Sequence, residues 1–328
     1  MSGAIVGTPR RIAIVGGGRM GVGIAASLVM AGLEVVIADA TPELGLAARA
    51  RLLERMRDHA EAGLTDRDTA ALAVAVRTAD GAASAVRGAD LVIEAVTEDM
   101  DVKEGVLRAC EAAAPAGAII ASNTSSLNID ALARFLARPE RFLGMHWFNP
   151  PEWTPGVEVV PGEHTAPAVC ERSVALLHAI GKRPSVVSGG VGFIANRLQM
   201  AIFCEAARCV EEGLATPRAI DDVVRSTFGF RLAFFGPFQI ADMAGLDIYE
   251  AVADQHEHGL GTRFRVPEAL RALVRQGRRG TSAGAGFYEY QVGDSDRLLL
   301  ERDRRYAALS ALLATLPPLE FDGGATPP

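Results

Sequence analysis

Residues 11–39 read RIAIVGGGRMGVGIAASLVMAGLEVVIAD, and their pattern decides the fold. Residues 11–15 are a short run of β-formers, residues 16–21 are rich in glycine, and an apolar helical stretch then runs to Ala31. Gly32 closes that stretch, and residues 34–38 form a second β run that ends on Asp39. Strand, glycine turn, helix and strand make one βαβ unit, the element from which parallel sheets are built. Gly16, Gly18 and Gly21 stand in the spacing G-x-G-x-x-G. Gly16 serves the tight turn, Gly18 lets a pyrophosphate approach the backbone, and Gly21 lets helix and strand pack closely. The free N–H groups of Gly18, Arg19 and Met20 at the helix start then face the phosphates. Asp39 is placed to accept hydrogen bonds from ribose hydroxyls. Ala40 and Thr41 follow it, neither of them a cation for a 2′-phosphate, so the expected cofactor is NAD rather than NADP.

The pattern repeats beyond this unit. Thr41-Pro42 is an N-cap and N1 pair opening a long helix. Strands are expected at 91–94, 118–121, 142–145, 157–160 and 184–187, with helices at 99–113, 128–136 and 166–180 between them. Such alternation predicts an α/β fold, a Rossmann-type doubly wound, mostly parallel sheet. After Ser188-Gly-Gly-Val-Gly192 the character changes. Residues 193–212 are apolar on nearly every side, which predicts a helix buried all round, in a helical domain or at a subunit interface. The expected division is a nucleotide-binding domain over 1–189 and an all-helical C-terminal domain over 190–328, its last dozen residues a loose tail rich in Pro and Gly.

Composition narrows the function classes. Of 328 residues 49% are hydrophobic and 22% charged, and the formal net charge is −7. No block of Lys and Arg offsets that charge, so a nucleic-acid partner is not expected. The opening MSGAIVGTPRR has no apolar run of the leader type, and no window reaches 18 uninterrupted apolar residues. The expectation is a cytoplasmic protein with no membrane contact. Cys110, Cys170, Cys204 and Cys209 form no C-x-x-C pair and read as buried reduced thiols, and no clustered Cys/His suggests a metal.

A second stretch carries the chemistry. In Gly144-Met-His146-Trp-Phe-Asn149-Pro-Pro and on to Glu158, a histidine, aromatics, a rigid turn and a carboxylate crowd the ends of two expected strands. Oxidation of an alcohol needs a base that takes the hydroxyl proton, and histidine is suited to that near neutral pH.

Together these segments resemble the L-3-hydroxyacyl-CoA dehydrogenase family. The resemblance rests on Gly16-Gly-Gly-Arg-Met-Gly21, Glu94-Ala-Val-Thr-Glu98, Ser122-Asn-Thr-Ser-Ser-Leu127, His146-Trp-Phe-Asn-Pro150 and Phe193-Ile-Ala-Asn-Arg-Leu198. It continues through Gly236-Pro-Phe, Asp242 and Gly245-Leu-Asp247, in order over residues 11 to about 290. It implies an NAD-dependent enzyme oxidising a β-hydroxyl to a ketone, a homodimer through its helical domain, acting on a small-molecule substrate. It makes His146 the base, Glu158 its partner, and Ser125 and Asn196 the donors to the reacting oxygen. It sets Glu98, Lys103, Ser125 and Asn149 along the nicotinamide half of the cofactor.

Two positions depart from the family pattern. Acyl-CoA members carry a lysine nine residues after the histidine, where this chain has Pro155. The family's Lys-Thr-Gly-x-Gly-Phe-Tyr reads Ser282-Ala-Gly-Ala-Gly-Phe-Tyr288, and Arg278 or Arg279 is the nearby cation that would replace the missing lysine. These departures resemble relatives acting on free hydroxy acids, among them gulonate dehydrogenase, lambda-crystallin and the pyridine-carboxylate dehydrogenase. The helix where acyl-CoA members hold the adenine 3′-phosphate carries Arg49, Arg51, Arg55 and Arg57, which read as a solvated face. Three alternatives stand beside this one. They are a true acyl-CoA-specific (S)-3-hydroxybutyryl-CoA dehydrogenase, a non-catalytic NAD-binding structural protein, and a lysine-dependent β-hydroxyacid dehydrogenase. The last lacks its acid here, because Asn196 stands at the lysine's position after Gly190-Val-Gly192.

Overall fold

The computed structural model describes residues 9–291 and 294–317. Nearly all of the expected C-terminal tail, residues 318–328, and the opening residues 1–8 lie outside the described residues. Contacts divide the chain into two compact units that meet between Ile202 and Phe203.

The first unit is built on an eight-stranded sheet in the order β3-β2-β1-β4-β5-β6-β7-β8. Its strands are β1 Arg11–Val15, β2 Glu34–Ala38, β3 Val76–Thr78, β4 Leu91–Glu94, β5 Ile119–Ser122, β6 Phe142–Trp147, β7 Gly156–Pro161 and β8 Arg183–Val186. Every neighbouring pair is parallel except β6 with β7. The chain winds from β1 out to β3, then returns to the other side of β1 to lay down β4. That reversal opens a crevice at the carboxyl ends of β1 and β4, where ligands of such sheets bind.

Strand β1 is buried on both faces, as a central parallel strand must be. Ile12 and Ile14 pack with Ile24 and Leu28 of α1 (Arg19–Met30), while Ala13 and Val15 join Val92 and Cys110 on the other side. Helix α2 (Pro42–Glu61) begins as expected: the Thr41 hydroxyl accepts from Leu44 N–H at 3.3 Å, and Pro42 occupies the first helical position. Strand β3 was not expected. It is three residues long with an arginine at its centre, too short to show a β period, and the short helices α3 (Thr69–Ala75) and α4 (Ala82–Ala85) flank it. Helices α5 (Met100–Ala113), α6 (Ile129–Ala133) and α7 (Pro167–Ala179) complete the crossovers. Of the cysteines only Cys110 is fully buried, and burial followed by the nearby Glu94 pushes its thiol pKa up to about 12; the other three are partly exposed.

Period-two alternation along β6 sets up the site. Leu143, Met145 and Trp147 face the α1 core, while Phe142 joins Val160 and Phe193 in a second cluster on the opposite face. His146 lies on the Phe142 side of the strand, four residues on.

Helix α8 (Ala195–Glu211) crosses the division between the units. The first unit therefore runs past the expected 189/190 boundary. The reason is local: the start of α8 is hydrogen-bonded to β7, as described below. No residue of α8 is buried in the single chain, so the expected burial is not met within it. The second unit is helical: α9 (Pro217–Ser226), α10 (Phe228–Leu232), α11 (Pro237–Ala244), α12 (Leu246–Leu260), α13 (Glu268–Arg275) and α14 (Asp294–Thr315). Asp242, 1% exposed, organises it by accepting from Phe287 N–H, Tyr288 N–H and the Tyr290 hydroxyl at 3.0, 3.0 and 2.8 Å. Gly286 lies so close to this carboxylate that a Cβ there would come within 2.2 Å of it. Among the described residues no helix is long and apolar enough to cross a membrane.

Candidate functional site

The loop between β1 and α1 is shaped by its glycines. Gly16 has φ +107°, and a Cβ on it would meet the Ala95 carbonyl oxygen at 2.4 Å across the crevice. A Cβ on Gly21 would overlap the Gly16 carbonyl at 1.8 Å, so helix and loop touch there. Gly18 has open space around it, and the start of α1 has no side-chain cap. Arg19 is exposed and Met20 half-buried as the helix begins. These are the features of a cradle that a pyrophosphate would fill, its charge met by unpaired N–H groups. Asp39 fastens the loop: Oδ2 accepts from Gly17 N–H at 2.9 Å and Oδ1 from Ala40 N–H at 2.7 Å. Each oxygen keeps a lone pair for a ribose hydroxyl. NAD fits this cradle.

Beside the crevice lies a buried charge network centred on Glu94. Glu94, at the end of β4, is fully buried; it accepts from Lys103 Nζ at 2.6 Å, Ser122 Oγ at 2.5 Å and Val96 N–H at 2.8 Å. Lys103 on α5 is 1% exposed and also reaches Glu98 at 3.3 Å. It stands behind Glu98 rather than open to the crevice. Glu98 Oε1 gathers the Thr124 hydroxyl at 2.5 Å, Ser125 N–H at 2.9 Å, and Ser126 N–H and hydroxyl at 3.1 Å each. Burial disfavours its charge, but the Thr124 hydroxyl, the Ser125 N–H and the Lys103 ammonium outweigh it and hold the carboxyl below the usual carboxylate range. Glu98 thereby fixes the Ser125 turn.

The histidine and its partner meet through strand register. In the antiparallel β6–β7 ladder His146 lies directly opposite Glu158, so both side chains stand on one face. His146 Nδ1 is 2.9 Å from Glu158 Oε2, and both residues are 5% exposed. The other oxygen, Oε1, accepts from Ile194 N–H at 3.0 Å and Ala195 N–H at 2.9 Å, the opening of α8. A carboxylate can only accept, so the ring hydrogen sits on Nδ1 and Nε2 is left with its lone pair. Phe148 and Phe193 flank the imidazole with ring centroids 4.4 and 5.6 Å away. Phe193 has φ +47°, a strained conformation for an aromatic residue. It costs about 1–2 kcal/mol, and the Glu158 bonds to the next two residues offset it. One step further on, Asn196 Nδ2 donates to the Ser125 carbonyl at 3.4 Å. His146, Glu158, Asn196, Ser125, Glu98 and Lys103 thus form one connected chain. Asn149 does not join it; it lies exposed in the turn after β6 with no side-chain hydrogen bond among the described residues. Sequence reading missed Glu94, Asn123, whose Oδ1 accepts from Trp147 N–H at 2.9 Å, and Phe193. The clustered glycines at 189–192 ahead of a helix were the available signal for the last.

The α2 arginines are not a solvated face. Arg49 donates to the carbonyls of Val76 and Ala73, both at 2.8 Å, Arg51 to the Gly17 carbonyl at 2.8 Å, and Arg55 pairs with the buried Glu152 carboxylate at 2.5 Å. Their partners are distant in sequence, and only Arg57 fits the expectation. Lys182 secures the same β6–β7 connection by donating to the carbonyls of Pro151 and Thr154 at 2.5 and 3.1 Å. Burial lowers its pKa, with Glu152 pulling the other way. In the second unit Arg278 is committed to the Gly286 carbonyl and to Glu289 at 2.6 Å, so of the two cations near Ser282 only Arg279 is exposed.

Comparison with known proteins accords with this geometry. Residues 11–190 match the family described as 3-hydroxyacyl-CoA dehydrogenase, NAD binding domain, and residues 192–290 its C-terminal domain. The chain is 36% identical to the 5-formyl-3-hydroxy-2-methylpyridine 4-carboxylate 5-dehydrogenase of Mesorhizobium japonicum, over 93% of this chain and 98% of that one. It is 34% identical to a probable 3-hydroxybutyryl-CoA dehydrogenase of Bacillus subtilis, over 86% and 98%. Among solved structures, a 3-hydroxyacyl-CoA dehydrogenase of Archaeoglobus fulgidus superposes with a TM-score of 0.78 at 30% identity, covering 94% of this chain and all of that one. The chain belongs to the 3-hydroxyacyl-CoA dehydrogenase family and is an NAD-dependent dehydrogenase acting on a CH–OH group.

The buried network makes a stability prediction. Lys103→Met leaves Glu94 charged and uncompensated, and should destabilise the first unit by about 3–5 kcal/mol. The Glu94→Gln/Lys103→Met double variant should recover part of the loss. Urea unfolding checks this; a Lys103→Met midpoint equal to that of the wild type would show that the ammonium is not the compensating charge.

Proposed function

We propose that this member of the 3-hydroxyacyl-CoA dehydrogenase family oxidises the hydroxyl of a small hydroxy acid, with His146 as general base and Glu158 as its partner. The reading is carried by the 2.9 Å contact between His146 Nδ1 and Glu158 Oε2, which leaves Nε2 as the acceptor. NAD, when bound, supplies the acceptor for the hydride. The chain's part is the proton: the hydroxyl hydrogen passes to Nε2, and Glu158 stabilises the imidazolium that results. Ser125 and Asn196 serve as neutral donors to the oxygen on which charge develops. The Ser125 hydroxyl makes no hydrogen bond among the described residues, and Asn196 spends one N–H on a long contact. Glu98 holds the Ser125 turn in place; Gly16, Gly18, Arg19, Met20, Gly21 and Asp39 form the adenosine end of the cofactor site, and Asn149 lies toward its nicotinamide end.

A free acid is favoured over a CoA thioester by three features. Pro155 replaces a cation, Arg49 and Arg55 of α2 are spent within the chain, and the Mesorhizobium relative is named for a pyridine carboxylate. The TM-score of 0.78 to the Archaeoglobus enzyme favours the acyl-CoA reading. We further read the protein as a cytoplasmic homodimer. Leu198, Met200, Ile202 and Phe203 of α8 are 44–63% exposed in the single chain, an apolar surface suited to a second copy.

Three measurements test these readings. Steady-state assays with NAD should give a larger kcat/KM for free hydroxy acids than for 3-hydroxybutyryl-CoA; the opposite ranking would restore the acyl-CoA reading. Sedimentation at micromolar concentration should show a species of twice the 34.5 kDa chain mass, and a monodisperse monomer would contradict the dimer. His146→Gln should lower the oxidation rate by about 10²–10⁴-fold with NADH affinity retained. Glu158→Gln should also slow turnover, and the double variant should cost far less than the product of the singles. Multiplicative losses would mean that the two residues do not act as one unit in moving the proton.

A further inference from the structure

Two side chains of opposite charge are fastened to one glycine at the mouth of the cofactor cradle. Gly17 gives its N–H to Asp39 Oδ2 at 2.9 Å and takes a hydrogen bond on its carbonyl from Arg51 Nη2 at 2.8 Å. The nitrogen and oxygen of one residue lie within about 4 Å of each other, so carboxylate and guanidinium flank the same short piece of loop. Yet Arg51 forms no ion pair among the described residues. Helix α2 is pressed against this loop: a Cβ on Gly17 would meet the Ala48 Cβ at 2.4 Å, and Arg51 lies one turn further along. The next residue, Gly18, is exposed with nothing within 4 Å of where its Cβ would be.

We propose that Arg51 is a phosphate-binding, specificity-determining residue of the adenosine end of the site, and that Asp39 alone keeps a 2′-phosphate from using it. The proposal rests on the reading of the β1–α1 loop as the NAD cradle. A guanidinium has five N–H donors and no acceptor, and the Gly17 carbonyl occupies one of them. The remainder suit the paired oxygens of a phosphate, and Arg51 is an exposed residue. In the wild type Asp39 competes by accepting from ribose hydroxyls and repelling a phosphate on the 2′ position. With that charge removed, the loop already contains the cation that residues 40 and 41 do not supply. Arg51 is not among the residues that directly follow Asp39; α2 returns it to the loop about two and a half turns from the helix start.

Adenosine fragments test this without turnover. Binding of 5′-AMP and 2′,5′-ADP, which differ only in the 2′-phosphate, is measured by calorimetry on the intact chain. The variants are Asp39→Ser, Arg51→Ala, Arg51→Lys and Asp39→Ser/Arg51→Ala. Asp39→Ser should raise the affinity ratio of 2′,5′-ADP to 5′-AMP by roughly 10- to 100-fold, the scale of a charge-assisted contact. Adding Arg51→Ala should return the ratio to near its wild-type value. Because the ratio compares two ligands on one variant, a general loosening of the loop cancels from it. Arg51→Lys keeps the charge without the fork, and in the Asp39→Ser background should retain part of the gain. A ratio that stays high in the double variant, or that never rises in Asp39→Ser, overturns the proposal while leaving the NAD cradle intact. Gly18→Val tests the cradle: both ligands should then be lost, and undiminished binding of both would remove the cradle reading and the proposal with it.

Discussion

One carboxylate joins the sheet to the helix that follows it. Glu158 spends Oε2 on the His146 ring and Oε1 on the first N–H groups of α8. An ion taken so far from water is tolerated only where its lone pairs are met, and a helix N-terminus is among the best places to meet them. The arrangement also solves a backbone problem. The turn from β8 into α8 passes through Phe193 with a positive φ, and the same two N–H groups that pin the helix keep that conformation in place. Imidazole tautomer, aromatic wall and helix start are consequences of a single acceptor. Asn196 is the next residue along, so its amide is positioned by the same bonds.

A second acid does comparable work on the other side of the crevice. Glu98 collects the Ser125 and Ser126 N–H groups and the Thr124 hydroxyl, and Lys103 beneath it ties it to Glu94. Buried ion pairs of this kind seldom add net stability, since desolvation consumes much of the attraction. What they contribute here is position. A lysine fixed between two carboxylates cannot follow the ligand, and a serine turn held by four donors to one oxygen cannot drift. Asn196 to Ser125 is the point where the two acids' territories touch.

How legible this was in the sequence follows from the range of each interaction. The β1–α1–β2 unit is local: periodicity and glycine spacing are enough, and the structure shows it as expected. The pairing of His146 with Glu158 spans twelve residues. It was legible only through resemblance, because the register that makes them direct neighbours depends on how the chain turns between β6 and β7. Glu94 gave no signal of its own at the end of an apolar run. The α2 arginines misled because a helical face shows which residues lie together but not what lies opposite; their acceptors come from residues 17, 73, 76 and 152. Strand β3 was too short for any period. In α8 the apolar content was legible, but periodicity alone does not distinguish burial within the chain from burial at a subunit interface.

Position 155 can change without moving the His146–Glu158 pair. Pro155 immediately precedes β7, and its carbonyl accepts from Arg183 N–H at 2.8 Å, at the start of the β7–β8 ladder. That backbone bond is indifferent to the side chain, so a lysine or a proline can occupy the position without moving Glu158, three residues along. The β6–β7 connection is held instead by Lys182, which bonds to the carbonyls of Pro151 and Thr154, and by Arg55, which bonds to Glu152. None of these contacts involves the imidazole. The proposed proton-transfer pair therefore depends on strand register and on the start of α8.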